Sequence, residues 1–146
     1  MVEEEEVYNL LGGDRVFPRK LASHLEWDEV IRSEGVPWAV AAHLKEALHL
    51  SNQAMAEVLG VAVRTFTKHY QSRDAMRAPL ADRVYRTAAV MAQAEEVLGS
   101  ASAARQWLTS EQRGLGYRVP VELLATEAGT TEVRDLLGRI EYGVIA

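Results

Sequence analysis

The sequence contains no cysteine, so disulfide bridges and thiolate metal sites are excluded from the outset. It also lacks any stretch approaching the ~20 apolar residues that a bilayer-crossing helix needs. Met1 to Glu6 is acidic rather than basic and then apolar, which does not fit a secretory leader. A cytoplasmic location with no membrane partner is expected. Strict polar–apolar alternation bounded by hairpin turns is missing, so strands are not expected. Internal repeats and low-complexity tracts are missing too. There is no Walker or GxGxxG pattern, and Gly12-Gly13 reads as a turn. His24, His43, His49 and His69 lack metal-ligand spacing with one another, and His43 and His69 read as ordinary helix-surface or joint residues. Glu95 and Glu96 are adjacent and so diverge on a helix, unlike a paired acid and base. These gaps argue against an enzyme, and neither a cofactor nor a metal is expected.

What is present is an ordinary globular composition. With 146 residues, 48% hydrophobic and 25% charged, the chain can bury a core as one domain, or as a small domain with an intimate extension. The net charge of −5 is unevenly spread. Residues 1–34 carry nine acids against four bases, whereas residues 61–86 carry Arg64, Lys68, Arg73, Arg77, Arg83 and Arg86 against Asp74 and Asp82, a local +4. Screening confines exposed charges to about 8–10 Å, so a phosphate would feel that local excess rather than the net charge. A solvated helix face is the alternative reading of the same charges.

Glycine and proline divide the chain into short helices. An amphipathic stretch runs from about Arg19 to Ser33 and stops at Gly35. Pro37 suits the first turn of a helix that carries Trp38, Ala41, Leu44, Ala47 and Leu48 at three- and four-residue spacing. Ser51 is the expected N-cap of Asn52 to Leu59, Gly60 ends that helix, and Val63 to Gln71 makes another. After a polar joint from Ser72 to Ala78, Pro79 opens the longest helix, to about Leu98, with Gly99 as its stop. Ser100 caps a short helix holding Trp107 and Leu108. Gly114 to Pro120 is a loop, and Pro120 to Leu124 a helical turn. Gly129 and Thr130 are expected to precede a last helix with Val133, Leu136, Leu137 and Ile140 on one face, ended by Gly143. The three tryptophans, Trp27, Trp38 and Trp107, fall on apolar faces and read as core. Glu3 to Glu6 reads as a solvated leader. The expected class is all-α.

The segment Asn52–Gln71 has the residue types that two helices need to meet at a sharp angle. Ala56 is small where the helices cross. Gly60 permits the positive φ of a tight exit, and Phe66 faces back into the angle with Leu59 and Val61. If Val61, Phe66 and Tyr70 point inward, the outward positions of the second helix are Ala62, Arg64, Thr65, Thr67, Lys68 and Gln71. In a helix-turn-helix that face enters the major groove. Arg64 suits guanine edges, Gln71 adenine, and Thr65 and Thr67 phosphates or thymine methyls. Lys68, Arg73 and Arg77 suit the backbone. A helical hairpin that merely carries basic residues is the competing reading.

A family resemblance enters in the second half. It rests on Ala103-Ala104-Arg105-Gln106-Trp107-Leu108, Gly114-Leu115-Gly116, Pro120-Val121-Glu122-Leu123-Leu124, Thr126-Glu127-Ala128-Gly129, and Val133, Leu136, Leu137, Ile140, Glu141, Tyr142 and Gly143. From about Pro79 onward the chain resembles the toxin-binding domain of Xre/MbcA/ParS antitoxins, and residues 36–77 resemble the Cro-like half of the same family. The resemblance implies an all-helical dimer that represses its own operon by binding operator DNA. It also implies neutralisation of a toxin encoded beside it, usually a NAD-depleting RES-domain toxin whose active-site entrance the C-terminal region blocks. The implied toxin contacts are Arg139, Glu141, Tyr142, Gly143, Val144, Ile145 and Ala146. The implied organisation is an acidic helical extension (1–35), a helix-turn-helix domain (36–78) and a toxin-binding domain (79–146). Tyr117 departs from the pattern, since a second glycine is common after Gly116, and another loop path is expected there.

Val144-Ile145-Ala146 is an apolar end, and burying each large aliphatic side chain is worth about 1.5–3 kcal/mol. Either a partner or this protein's own Trp107 region should cover it. A helix-turn-helix regulator with a helical dimerisation domain and no toxin partner remains the alternative function. Co-purification with the product of the neighbouring reading frame separates the two.

Overall fold

The computed structural model describes residues 2–70 and 72–143. Among them the chain forms eight α-helices: α1 (Val2–Leu10), α2 (His24–Ser33), α3 (Ala39–Leu48), α4 (Asn52–Leu59), α5 (Val63–Lys68), α6 (Leu80–Leu98), α7 (Ala101–Leu108) and α8 (Glu127–Glu141). Short 3-10 turns occupy Gly13–Arg15, Arg113–Leu115 and Pro120–Leu123. The class is all-α, as the helical periodicity predicts.

The caps explain most of the boundaries. Ser51, Ser100 and Thr126 each accept a hydrogen bond from the backbone N–H three residues on, at 3.1, 3.0 and 3.0 Å. The α6 helix runs to Leu98 and stops at Gly99 in the left-handed region, φ +94°. It is the central post of the fold, with α1, α7 and α8 all packed along it. Val84, Ala88, Val90, Met91 and Ala94 are fully buried in it, and they form one continuous core with Leu44, Met55, Leu59, Leu108, Val133 and Leu137.

Several boundaries differ from the sequence reading, each for a physical reason. The second helix begins at His24 rather than near Arg19. Ser23 accepts from Glu26 N at 3.2 Å while Glu26 Oε1 accepts from Ala22 N at 2.9 Å, a reciprocal cap that stops the helix from extending backward. Pro37 does not open a helix. It lies in β1 (Val36–Pro37), paired antiparallel with β2 (Ala75–Met76), a two-residue ladder that was not expected. Trp38 N and Ala39 N bond across to Asp74 O and Ser72 O, both at 2.9 Å, and α3 starts only afterwards. The helix expected over Val63 to Gln71 ends at Lys68, and Gln71 lies outside the described residues. The last helix starts at Glu127, so Gly129 sits inside its first turn.

The acidic leader is also structured. Val7, Tyr8 and Leu10 of α1, and Leu11 just after it, are buried in the core. Glu3 forms an ion pair with Arg134 of α8 at 3.0 Å, and Glu4 lies 3.5 Å from His24. The acids occupy the rim of a helix whose other face is apolar, so composition alone misreads them. Among the described residues no helix is long and apolar enough to cross a membrane.

Candidate functional site

The α4–α5 corner is built as its residue types require. Ala56 and Phe66 are buried at the crossing, and Gly60 takes φ +75°. Gly60 meets a second demand: Arg83 of α6 reaches over it to donate to Leu59 O at 2.7 Å, and a Cβ on residue 60 would overlap that guanidinium. Phe66 meets Tyr70 edge-on with ring centroids 5.7 Å apart. Tyr70 in turn donates to Glu46 Oε2 at 3.2 Å, with Lys45 Nζ 5.6 Å from its ring centroid. His69 stacks on Trp38 at 4.7 Å. These contacts fix the orientation of α5 from its buried side.

On the other side of α5, Arg64, Thr67 and Lys68 are exposed and Thr65 is half-buried. Thr67 donates its hydroxyl to its own helix, to Val63 O and Arg64 O at 3.1 Å each. Arg73 behaves differently from the expectation of a phosphate contact: its guanidinium donates to Val16 O at 3.2 Å and Arg15 O at 3.1 Å. Arg77 donates to Ser33 O at 2.9 Å, and Arg86 pairs with Asp82 at 2.6 Å. The sequence signal for these partners is absent, because Arg73 and Arg77 reach across 57 or 58 and 44 residues respectively. Among the described residues Arg64 and Lys68 make no ion pair or side-chain hydrogen bond. Val63, which periodicity alone did not single out, is 38% exposed beside them.

At the other end of the chain α8 is held firmly. Val133, Leu136 and Leu137 are buried, and Gln93 Nε2 donates to Arg134 O at 3.3 Å. Gly129 is there for space rather than for turning: a Cβ would strike Leu123 O, because the 3-10 turn of Pro120–Leu123 crosses the first turn of α8. Beyond this anchored portion, Arg139 is half-buried, Glu141 and Gly143 are exposed, and Tyr142 is 82% exposed. A shallow cleft runs along Arg134, Asp135, Gly138, Arg139 and Tyr142. Val144, Ile145 and Ala146 lie outside the described residues.

The loop before α8 keeps a glycine-like geometry despite its tyrosine. Gly116 and Tyr117 both have φ +66°, and Gln112 N and Arg118 O close the loop at 3.0 Å. Electrostatic strain is concentrated where α1 meets α6. Burial, reinforced by the neighbouring Glu6 carboxyl, pushes Glu95 up to about 7. Burial together with Glu3 and Glu4 pushes the Tyr85 hydroxyl up to about 12. Burial, with Arg15 and Arg73 nearby, holds His43 below the ordinary imidazole range. Among the described residues no group of three or more histidine or acidic side chains is placed to hold a metal ion.

Comparison with known proteins gives family matches for both parts of the chain. Residues 93–143 match the C-terminal toxin-binding domain of Xre/MbcA/ParS antitoxins, and residues 30–89 match the Xre-like antitoxin helix-turn-helix domain. An Antitoxin Xre of Photorhabdus laumondii is 28% identical over 131 residues, covering 89% of this chain and 86% of the relative. Another, from Yersinia enterocolitica, is 33% identical over 106 residues, covering 69% and 72%. A chain in the crystal structure of the M. tuberculosis MbcT–MbcA toxin–antitoxin complex superimposes with a TM-score of 0.53 at 20% identity. It covers 75% of this chain and 96% of that one, a likeness of fold.

Proposed function

The chain belongs to the Xre/MbcA/ParS family of antitoxins, and from that membership we propose that it neutralises a RES-domain, NAD-depleting toxin and represses its own operon. The toxin is held by Arg139, Glu141, Tyr142, Gly143, Val144, Ile145 and Ala146, which close the entrance to its active site. The operator is held by Arg64, Thr65, Thr67 and Lys68 of α5, together with Gln71, in a dimer that places two such helices on one duplex. Arg73 serves the protein's own architecture instead, since its guanidinium donates to the backbone carbonyls of Val16 and Arg15. The proposed division is residues 1–35 as a helical extension, 36–78 as the operator-binding unit and 79–146 as the toxin-binding unit.

The observation that carries the toxin half is the contrast along α8. The helix is anchored by Leu136, Leu137 and the Glu3–Arg134 ion pair, and then presents a tyrosine that is 82% exposed. Exposed aromatic rings beside arginine are the residue types that anchor protein–protein interfaces. Co-expression with the product of the neighbouring gene tests the reading. The two proteins should co-purify, growth should be restored, and cellular NAD should recover. Deleting Val144–Ala146 should abolish rescue while leaving duplex binding intact. A truncated form that still restores growth contradicts the plug. A chain that binds the upstream duplex but never captures the neighbouring product is instead a stand-alone helix-turn-helix regulator.

A further inference from the structure

We propose that α5 reads thymine through its C5-methyl groups, using Val63 together with the methyl of Thr67. The inference rests on the operator-binding reading and names the base edge that the helix recognises.

Two rows of side chains run along the exposed side of α5. Residues four apart share a helix face, so Arg64 and Lys68 form one row and Val63 and Thr67 the row beside it. The first row is cationic, and among the described residues neither member has an internal partner. The second row is apolar at its surface. Val63 is one of four large hydrophobic side chains standing exposed among the described residues, at 38%. Thr67 joins it because its only hydroxyl proton is shared between Val63 O and Arg64 O at 3.1 Å each. A threonine bonded in that way has no proton left for a phosphate and turns its methyl to the surroundings.

The cationic row decides what covers the apolar one. A partner laid on α5 must satisfy a guanidinium and an ammonium next to two small aliphatic groups. The major groove of duplex DNA offers that combination, with phosphates and guanine acceptors adjoining thymine methyls. Cytosine and uracil lack the methyl and leave Val63 against water.

The experiment uses the duplex upstream of the protein's own gene, prepared once with thymine and once with uracil throughout. Each lost methyl contact weakens binding about fourfold, so the full-length protein should prefer the thymine duplex by roughly that factor or more. Val63→Ala, and Thr67→Ser, which keeps the hydroxyl bonds but removes the methyl, should each shrink the preference toward unity. Arg64→Ala should weaken both duplexes and leave their ratio unchanged. Circular dichroism on each variant establishes that α5 is intact. Equal affinity of the unsubstituted protein for both duplexes, or an unaltered ratio in Val63→Ala, overturns the inference while the operator reading stands. Failure to bind either duplex removes the operator reading and this inference with it.

Discussion

Arg64 and Lys68 on α5 and the four arginines at 73, 77, 83 and 86 look alike in the sequence, yet the fold uses them in opposite ways. The four arginines are committed internally: three donate to main-chain carbonyls of other segments and the fourth pairs with Asp82. The two on α5 have no such partner among the described residues. Local charge of +4 between residues 61 and 86 therefore overstates the donors available to a ligand. An arginine bonded to a carbonyl still contributes to the field, but that bond ties its guanidinium to the protein's own chain. Basic character in a sequence locates a region; only the partners decide which side chains are structural.

Breaking this division should give effects of graded size. The largest is expected at Gly60, where Arg83 and a left-handed backbone coincide. Gly60→Ala should destabilise the protein by about 3 kcal/mol, from the strained φ and the displaced Arg83 bond together. Denaturant unfolding measures it. Arg83→Met should cost about 2 kcal/mol by leaving Leu59 O unsatisfied. The double variant should cost clearly less than the sum, because the overlap vanishes with the guanidinium. Additive losses would show that Arg83 and Gly60 act independently.

The acids divide in the same manner as the cations, and pH sharpens the contrast. Glu26 is lowered by the backbone N–H of Ala22, whereas Glu95 is raised to about 7 from the 4.5 of a free glutamate. A raised folded-state value means that the native protein holds its proton more tightly than the unfolded chain. The stability from protonated Glu95 is fully present below pH ~4.5 and is lost as pH rises through ~7. Glu95→Gln should therefore be nearly neutral at pH 4 and stabilising at pH 8. Because Glu95 is only half-buried, solvent screening limits that gain to on the order of 1 kcal/mol. Thermal melts at the two pH values check the sign. The smallest effect is expected at Tyr117, whose φ of +66° suits glycine. Tyr117→Gly should change stability by less than about 1 kcal/mol, since relief of strain is offset by greater freedom of the unfolded chain.

Much of this architecture was legible where one residue answers one local demand. Ser51, Ser100, Gly60, Gly99 and Phe66 do what their types and spacing imply. The misreadings share a cause. Gly129 resembles a helix breaker in sequence, yet it lies within α8 because the carbonyl of Leu123 passes too close for a side chain. Pro37 resembles a helix start, yet a strand some forty residues away claims its neighbours. Glu3 to Glu6 resemble a solvated tail until Val7, Tyr8 and Leu11 are seen in the core. Each answer depends on a segment distant in the chain, and periodicity carries no information about that. The candidate site was legible to the same degree. Arg64, Thr67 and Lys68 follow from the placement of Phe66, whereas the internal role of Arg73 requires the position of Arg15 and Val16.

The salt dependence of duplex binding tests the division most directly. The logarithm of affinity falls with the logarithm of salt by close to one per phosphate contact. Arg64→Ala combined with Lys68→Ala should reduce that slope by at least about 1, the phosphate contact assigned to Lys68, while shifting stability by less than about 0.5 kcal/mol. Arg73→Met should lower stability and leave the slope unchanged. An unchanged slope in the double variant, or an equal reduction in Arg73→Met, would contradict the account.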